Sequence, residues 1–251
     1  MIQLQHISKT FHPGEAMQIK ALQDVSLTIG SGEYVVVIGA NGSGKSTLLN
    51  IIAGSYAPDQ GELYFDKMVV NTMPEHRRSP YIARLFQNPL QGTAPDLSIL
   101  ENFRLAALRS SRKGFTIGIE KRFRQRVADS ISRLGMGLEN KLEQNMGKLS
   151  GGQRQALTLL MSTMDECQIL LMDEPSAALD PRSAELIMQL VDQLIKEKKL
   201  SALLVTHRMK DCIQYGTRVI HMKEGRINKA ISATEKQALR VEELYSWFEE
   251  N

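Results

Sequence analysis

The chain has 251 residues, 42% of them hydrophobic and 24% charged, with a formal net charge of +3. That is the composition of an ordinary globular protein with a substantial core, either one α/β domain or a domain with a subdomain. The charge permits nucleotide ligands or an anionic membrane surface, but is too small to imply nucleic acid. Cys167 and Cys212 stand far apart and outside any metal-type spacing, which reads as thiols in a reducing cytoplasm. No window approaches the ~18 uninterrupted apolar residues of a membrane span, and the first residues lack a signal-peptide pattern. Any work at a membrane therefore needs another protein to cross it.

In chain order, Ile2, Leu4 and Ile7, then Leu22, Val25, Leu27 and Ile29, alternate as antiparallel strands, with a turn over His12–Glu15 between them. Tyr34–Ile38 is a continuous apolar run, the mark of a strand buried on both faces. It feeds a glycine-rich stretch, and Ser46–Ala53 then reads as a helix ended by Gly54 and Pro58. From about 88 to 160 the pattern turns helical, most clearly over 97–108 and 123–134, with a surface loop at 109–114. The β/α alternation returns with a strand at 168–172, a helix at 182–197, a strand at 201–206 and a hairpin at Glu224–Gly225. Glu235–Glu249 has the pattern of one terminal helix. The expected partition is a single domain over 1–251, with a core of 1–87 and 161–230, a helical subdomain over 88–160, and a C-terminal helix within 231–251.

Strand, then Gly39-Ala40-Asn41-Gly42-Ser43-Gly44-Lys45-Ser46-Thr47, then helix is the context a phosphate-binding loop requires. Glycines let backbone N–H groups close around phosphates, and the helix that follows adds its partial positive charge. Lys45 supplies a point charge to the β- and γ-phosphates, and Ser46 a hydroxyl ligand for Mg²⁺. Downstream, Ile169–Met172 ends in Asp173-Glu174: the first carboxylate is placed to hold Mg²⁺, the second to orient or deprotonate an attacking water. A guanine reader is absent, since Asn140-Lys141-Leu142-Glu143 ends in the wrong carboxylate and follows no apolar strand.

Leu149-Ser150-Gly151-Gly152-Gln153-Arg154-Gln155 completes an ordered set of motifs over about residues 2–228 that resembles the ATP-binding-cassette (ABC) ATPases, the nucleotide-binding subunits of ABC transporters. Physically, Ser150 is a good N-cap and the two glycines expose the first N–H groups of a helix, an anion site. The resemblance implies that this site closes over the γ-phosphate held by another protomer, in a head-to-tail dimer with two ATP molecules, the partner being a second copy or a paralogous cassette. It implies that Gln87 senses Mg²⁺ and the attacking water, that His207 contacts the γ-phosphate, and that Asp180 couples the two sites. Asp180 followed by Pro181 is also an N-cap pattern, and both readings stand. Phe11 falls where the family places a ring against adenine; a core aromatic is the rival reading.

The resemblance further implies ATP and Mg²⁺ as cofactors, transmembrane permease subunits as partners, an extracytoplasmic substrate-binding protein, and a place at the cytoplasmic face of the membrane with no nucleic acid. A stand-alone cassette resembles importer subunits, and Phe86–Pro95 resembles a subgroup taking up small solutes such as aromatic amino acids. The alternative is a soluble ABC ATPase acting on nucleic acid or ribosomes; the coiled coil, zinc cysteines or second cassette of those relatives are not in this sequence. The basic cluster Arg109, Arg112, Lys113, Lys121, Arg122, Arg124 and Arg126 reads as a solvated face, with a membrane surface or a partner loop as the rival. Tyr245, Trp247 and Phe248 read as core packing of the last helix, with contact to a partner as the rival reading.

Overall fold

The computed structural model describes residues 1–14, 17–108 and 120–249. The predicted loop at 109–114 and three members of the basic cluster (Arg109, Arg112 and Lys113) lie outside the described residues.

Two sheets organise the molecule. Strands β1 (Ile2–Phe11), β2 (Ile19–Ile29), β4 (Gln60–Phe65) and β5 (Met68–Val69) form an antiparallel sheet ordered β2-β1-β4-β5. The second sheet is ordered β10-β9-β3-β8-β7-β6, from β3 (Tyr34–Ile38), β6 (Ile82–Leu85), β7 (Ile169–Asp173), β8 (Ser201–Val205), β9 (Arg218–Lys223) and β10 (Arg226–Ile231). Its strands are parallel except for the β9–β10 hairpin at one edge. Helices are α1 (Lys45–Ala53), α2 (Glu75–Arg78), α3 (Ile99–Ala107), α4 (Lys121–Ser132), α5 (Gly151–Ser162), α6 (Pro181–Lys198), α7 (Met209–Gln214), α8 (Ala233–Lys236) and α9 (Val241–Glu249). None of the described helices is long and apolar enough to cross a membrane.

Alternation along β3 divides the interior. Val35 and Val37 join Leu48, Ile51 and Ile52 of α1 and the inner face of the antiparallel sheet in one core. Val36 and Ile38 face the other way, with Phe103, Val127, Ile131, Leu157 and Ile187 of α3 to α6. A strand between two cores reads as an unbroken apolar run, which is why YVVVI lacks a polar position. The C-terminal ends of β3, β6, β7 and β8 all open on the same edge of the parallel sheet, where ligands bind in open α/β folds.

The predicted single helix over 235–249 is two elements. Ser232 caps α8 with a reciprocal Glu235 box, and the chain breaks over 237–240 before α9 begins. Lys236 explains the stop: its buried ammonium donates to the carbonyls of Tyr215 and Gly216, pinning α8 to the turn before β9. Helical spacing alone does not show such an anchor.

Arg78 is the unexpected interior charge, 1% exposed. Its guanidinium donates to the carbonyls of Ile51 and Ile52 at the end of α1 and to those of Val70 and Met73. Burial pushes its pKa down to about 10, so the group stays charged at neutral pH. A cation at a helix C-terminus is stabilised by the negative end of the macrodipole, and here it also satisfies carbonyls that water cannot reach. Arg78→Met should therefore destabilise the fold by roughly 3 kcal/mol; a Tm within a degree of wild type would show that these carbonyls find other donors.

Candidate active site

The phosphate loop leaves β3 at Gly39 and enters α1 at Lys45. Two glycines in it are irreplaceable on steric grounds. A Cβ on Gly39 would lie 2.2 Å from the Met222 carbonyl oxygen, and one on Gly44, at φ +99°, would lie 2.3 Å from that of Ala21. Gly44 also gives α1 no side-chain cap, so the first N–H groups of that helix face the loop. Lys45 is 6% exposed, and its ammonium donates to the carbonyls of Gly39 and Ala40, both at 2.8 Å. Burial lowers its pKa, while Glu174 and Asp173 oppose the shift.

The opposing wall comes from β7. Asp173 ends the strand, and its Oδ1 accepts from the Ser46 hydroxyl at 3.2 Å. Burial raises the Asp173 pKa; Glu174 adds to the rise, and Arg84 and Lys45 offset it in part. Glu174 follows in the left-handed region at φ +46°, with its N–H donating to the Val205 carbonyl at 2.9 Å. A non-glycine residue held there costs on the order of 1 kcal/mol or more. The turn aims the carboxylate across the cleft: Oε2 lies 3.0 Å from His207 Nδ1 and 3.5 Å from Gln87 Nε2. His207 follows β8 and Gln87 follows β6, so the three side chains converge from three strand ends.

Phe11, Gly39, Ala40, Asn41, Gly42, Gly44, Lys45, Ser46, Thr47, Gln87, Asp173, Glu174 and His207 all line one cleft of ≈ 670 Å³. Ser43 is buried under the loop. Phe11 stands half-buried on the wall, edge-on to Tyr56 at 5.2 Å. Ser150, Gly151, Gly152, Gln153 and Asp180 do not line this cleft. Ser150 caps α5 in a reciprocal box with Gln153, and Asp180 caps α6 by accepting from the N–H groups of Arg182 and Ser183. That hydrogen bonding, led by Ser183, lowers the Asp180 pKa. A Cβ on Gly152 would lie 2.7 Å from Ser183 Oγ, so the two helix starts abut. The predicted residues thus form two groups, a cleft and a separate pair of capped helix N-termini.

Against known proteins, the ABC transporter family model matches residues 22–177. This chain belongs to the ABC transporter family. It is the ATP-binding, ATP-hydrolysing cassette of such a transporter. It is 35% identical over 252 residues to a tyrosine transport ATP-binding protein of Clostridioides difficile, covering 99% of both chains. It is 36% identical to the thiamine import ATP-binding protein ThiQ of Escherichia coli over 80% of this chain and 82% of that one. Among solved structures, the post-hydrolysis dimer of the cassette MJ0796 of Methanocaldococcus jannaschii, bound to ADP and Pi, aligns with a TM-score of 0.80 and 31% identity. That alignment covers 93% of this chain and 99% of the other.

Several residues of the cassette around the site carry no site role in the motif reading. Phe248 of α9 reaches the cleft wall, and Trp247 beside it is 7% exposed, 5.7 Å from the His221 ring. Arg208 donates to the Ser176 hydroxyl at 3.3 Å and stands 3.6 Å from Asp211. Gln155 is fully buried. A signal for it existed: 152, 155, 156 and 159 share one helix face, so Gln155 is a polar residue on an apolar stripe.

The raised Asp173 pKa has a consequence for stability. Its folded pKa lies above its unfolded value, so the ionised form disfavours folding at any pH above the folded pKa, and the penalty vanishes below the unfolded one. Asp173→Asn should raise the Tm of the nucleotide-free cassette at pH 7.5 and give no gain near pH 4. A lowered Tm at pH 7.5 would show that the Ser46 contact outweighs desolvation.

Proposed function

We propose that the cassette is the energy-coupling subunit of an importer, working as a head-to-tail pair with two Mg²⁺–ATP molecules between the protomers. The separation of Ser150 from the cleft carries this reading: a helix N-terminus built to receive an anion stands away from the phosphates of its own chain. In this reading the phosphate loop and Lys45 hold the β- and γ-phosphates, and Glu174 accepts a proton from the attacking water. His207 and Gln87 fix that water and the γ-phosphate, Phe11 stacks on adenine, and Asp180 links the two sites. The donor set Ser46, Asp173 and Gln87 suits a hard divalent cation that keeps most of its water and shares the nucleotide's oxygens. A Mg²⁺ held by these residues would neutralise phosphate charge.

Ala53, Phe86, Leu105, Ala106 and Met161 line a second groove of ≈ 560 Å³, with Arg84 stacked 4.6 Å over the Phe86 ring. It ends one residue before Gln87, which favours it as the seat of a permease loop at the cytoplasmic membrane face. The thiamine relative's name supports import and the tyrosine relative's name supports transport of a small solute, with an aromatic amino acid as cargo through separate permease and binding-protein subunits. The experiment is reconstitution of the cassette with the polytopic membrane protein that co-purifies with it. ATPase activity should rise several-fold when a tyrosine-loaded binding protein is added; stimulation by another solute alone would reassign the cargo. Co-purification with ribosomes or DNA instead of a polytopic membrane protein would sink the transporter reading.

A further inference from the structure

Gln155 sits about 7.5 Å along α5 from its Ser150 cap, at 1.5 Å per residue. Both protons of its side-chain amide are used. Nε2 donates to the Phe86 carbonyl at 2.8 Å and to the Pro175 carbonyl at 3.0 Å. Because both partners are acceptors only, the amide nitrogen must face them. Phe86 precedes Gln87 and Pro175 follows Glu174, so one buried side chain grips the backbone beside two residues that converge on the cleft. Its Oε1 is buried with no hydrogen-bond partner among the described residues. A leucine of similar size would avoid that cost but leave the Phe86 and Pro175 carbonyls without these donors, so the position keeps a side chain with two N–H groups even though its oxygen goes unpaired.

We propose that Gln155 is a positioning residue that ties the geometry of each protomer's own hydrolysis site to the nucleotide bound by its partner. The inference rests on the paired-site reading above. When the start of α5 engages the partner's γ-phosphate, the helix moves as a rigid rod and carries Gln155 with it. The carbonyls of Phe86 and Pro175 follow, bringing Gln87 and Glu174 into register. Displacements below 1 Å suffice, since misplacement on that scale costs about 100-fold in rate. Each site then hydrolyses only when the other holds ATP.

The test compares wild type and Gln155→Met in steady-state Mg²⁺–ATPase assays across ATP concentration, with nucleotide affinity measured separately on the dilute monomer. Methionine keeps the volume and removes both donors. The expected result is a fall in kcat of about 30-fold or more, monomer affinity within twofold, and a Hill coefficient dropping from well above one to about one. Unchanged kcat and Hill coefficient would overturn the proposal, as would an affinity loss as large as the loss in kcat. If Gln155→Met fails to fold, Gln155→Glu supplies the test. Its neutral carboxyl donates one bond and its carboxylate none, so its kcat relative to wild type should recover between pH 8 and pH 6. A flat ratio would overturn the proposal. Should wild type itself show a Hill coefficient of one and full activity as a monomer, the paired-site reading fails instead.

Discussion

Replacing Glu174 by Gln should reduce ATP turnover by 100-fold or more while leaving nucleotide affinity within about twofold. The substitution keeps the shape, the left-handed backbone and an oxygen for His207 Nδ1, and removes the group that can take a proton. General-base contributions of 10²–10⁴ set the size of the expected loss. Binding is expected to survive because the phosphate grip comes from loop N–H groups and Lys45, which Glu174 does not contact by hydrogen bond. Trp247 is the single tryptophan, and it lines a hollow with Ala40–Ser43 of the phosphate loop, so its fluorescence offers a direct binding signal. Wild-type turnover by Glu174→Gln would remove the assigned base; lost binding would mean that Glu174 holds the loop itself.

The second large effect is expected at a distance from the cleft. Ser150→Arg should cut turnover by at least 100-fold and leave ATP binding to the monomer unchanged. Ser150 accepts from the Gln153 N–H and its own N–H donates back to the Gln153 carboxamide, so the substitution also removes a cap worth ~1 kcal/mol. That loss would lower Tm by only a few degrees, which a melting curve separates from the kinetic effect. Equal losses of binding and turnover would place Ser150 in the same site as Lys45, against the geometry seen here. Dilution of the wild-type protein should act like the substitution, lowering specific activity as dimers dissociate.

The sequence was most legible where one residue type has one physical use. Tyr34–Ile38 could be read as a central strand because no polar residue interrupts it, and the loop after it because glycines, lysine and serine fall at fixed offsets. Asp173 and Glu174 followed from an apolar run ending in acids. Convergence was less visible: nothing in the spacing of Gln87, Glu174 and His207 shows that strands β6, β7 and β8 end side by side. The short strands β4 to β6 and the buried Arg78 were missed because their partners are distant in sequence, and tertiary contacts override local pattern. The C-terminal break was missed for the same reason, its cause being two carbonyls beyond Lys236 in space and before it in the chain.

Gln155 is the instructive intermediate. Its identity is plain in the signature segment, and its face on α5 is apolar, yet its partners come from two other segments. A polar residue on a buried stripe marks a place where some other chemistry outweighs packing. Ser150 and Asp180 behave differently: both are full N-caps in the structure, so the local reading of each is sufficient for its conformation. Neither lines the cleft, so any role beyond the cap rests on the proposed pairing of two copies.

If each ATP is shared between two copies, sedimentation of the turnover-blocked cassette will show it. With Mg²⁺–ATP, Glu174→Gln should sediment at twice the monomer mass, and the Glu174→Gln, Ser150→Arg double variant should stay monomeric at equal nucleotide occupancy. A double variant that dimerises as readily as the single one would show that Ser150 does not meet the partner's ATP.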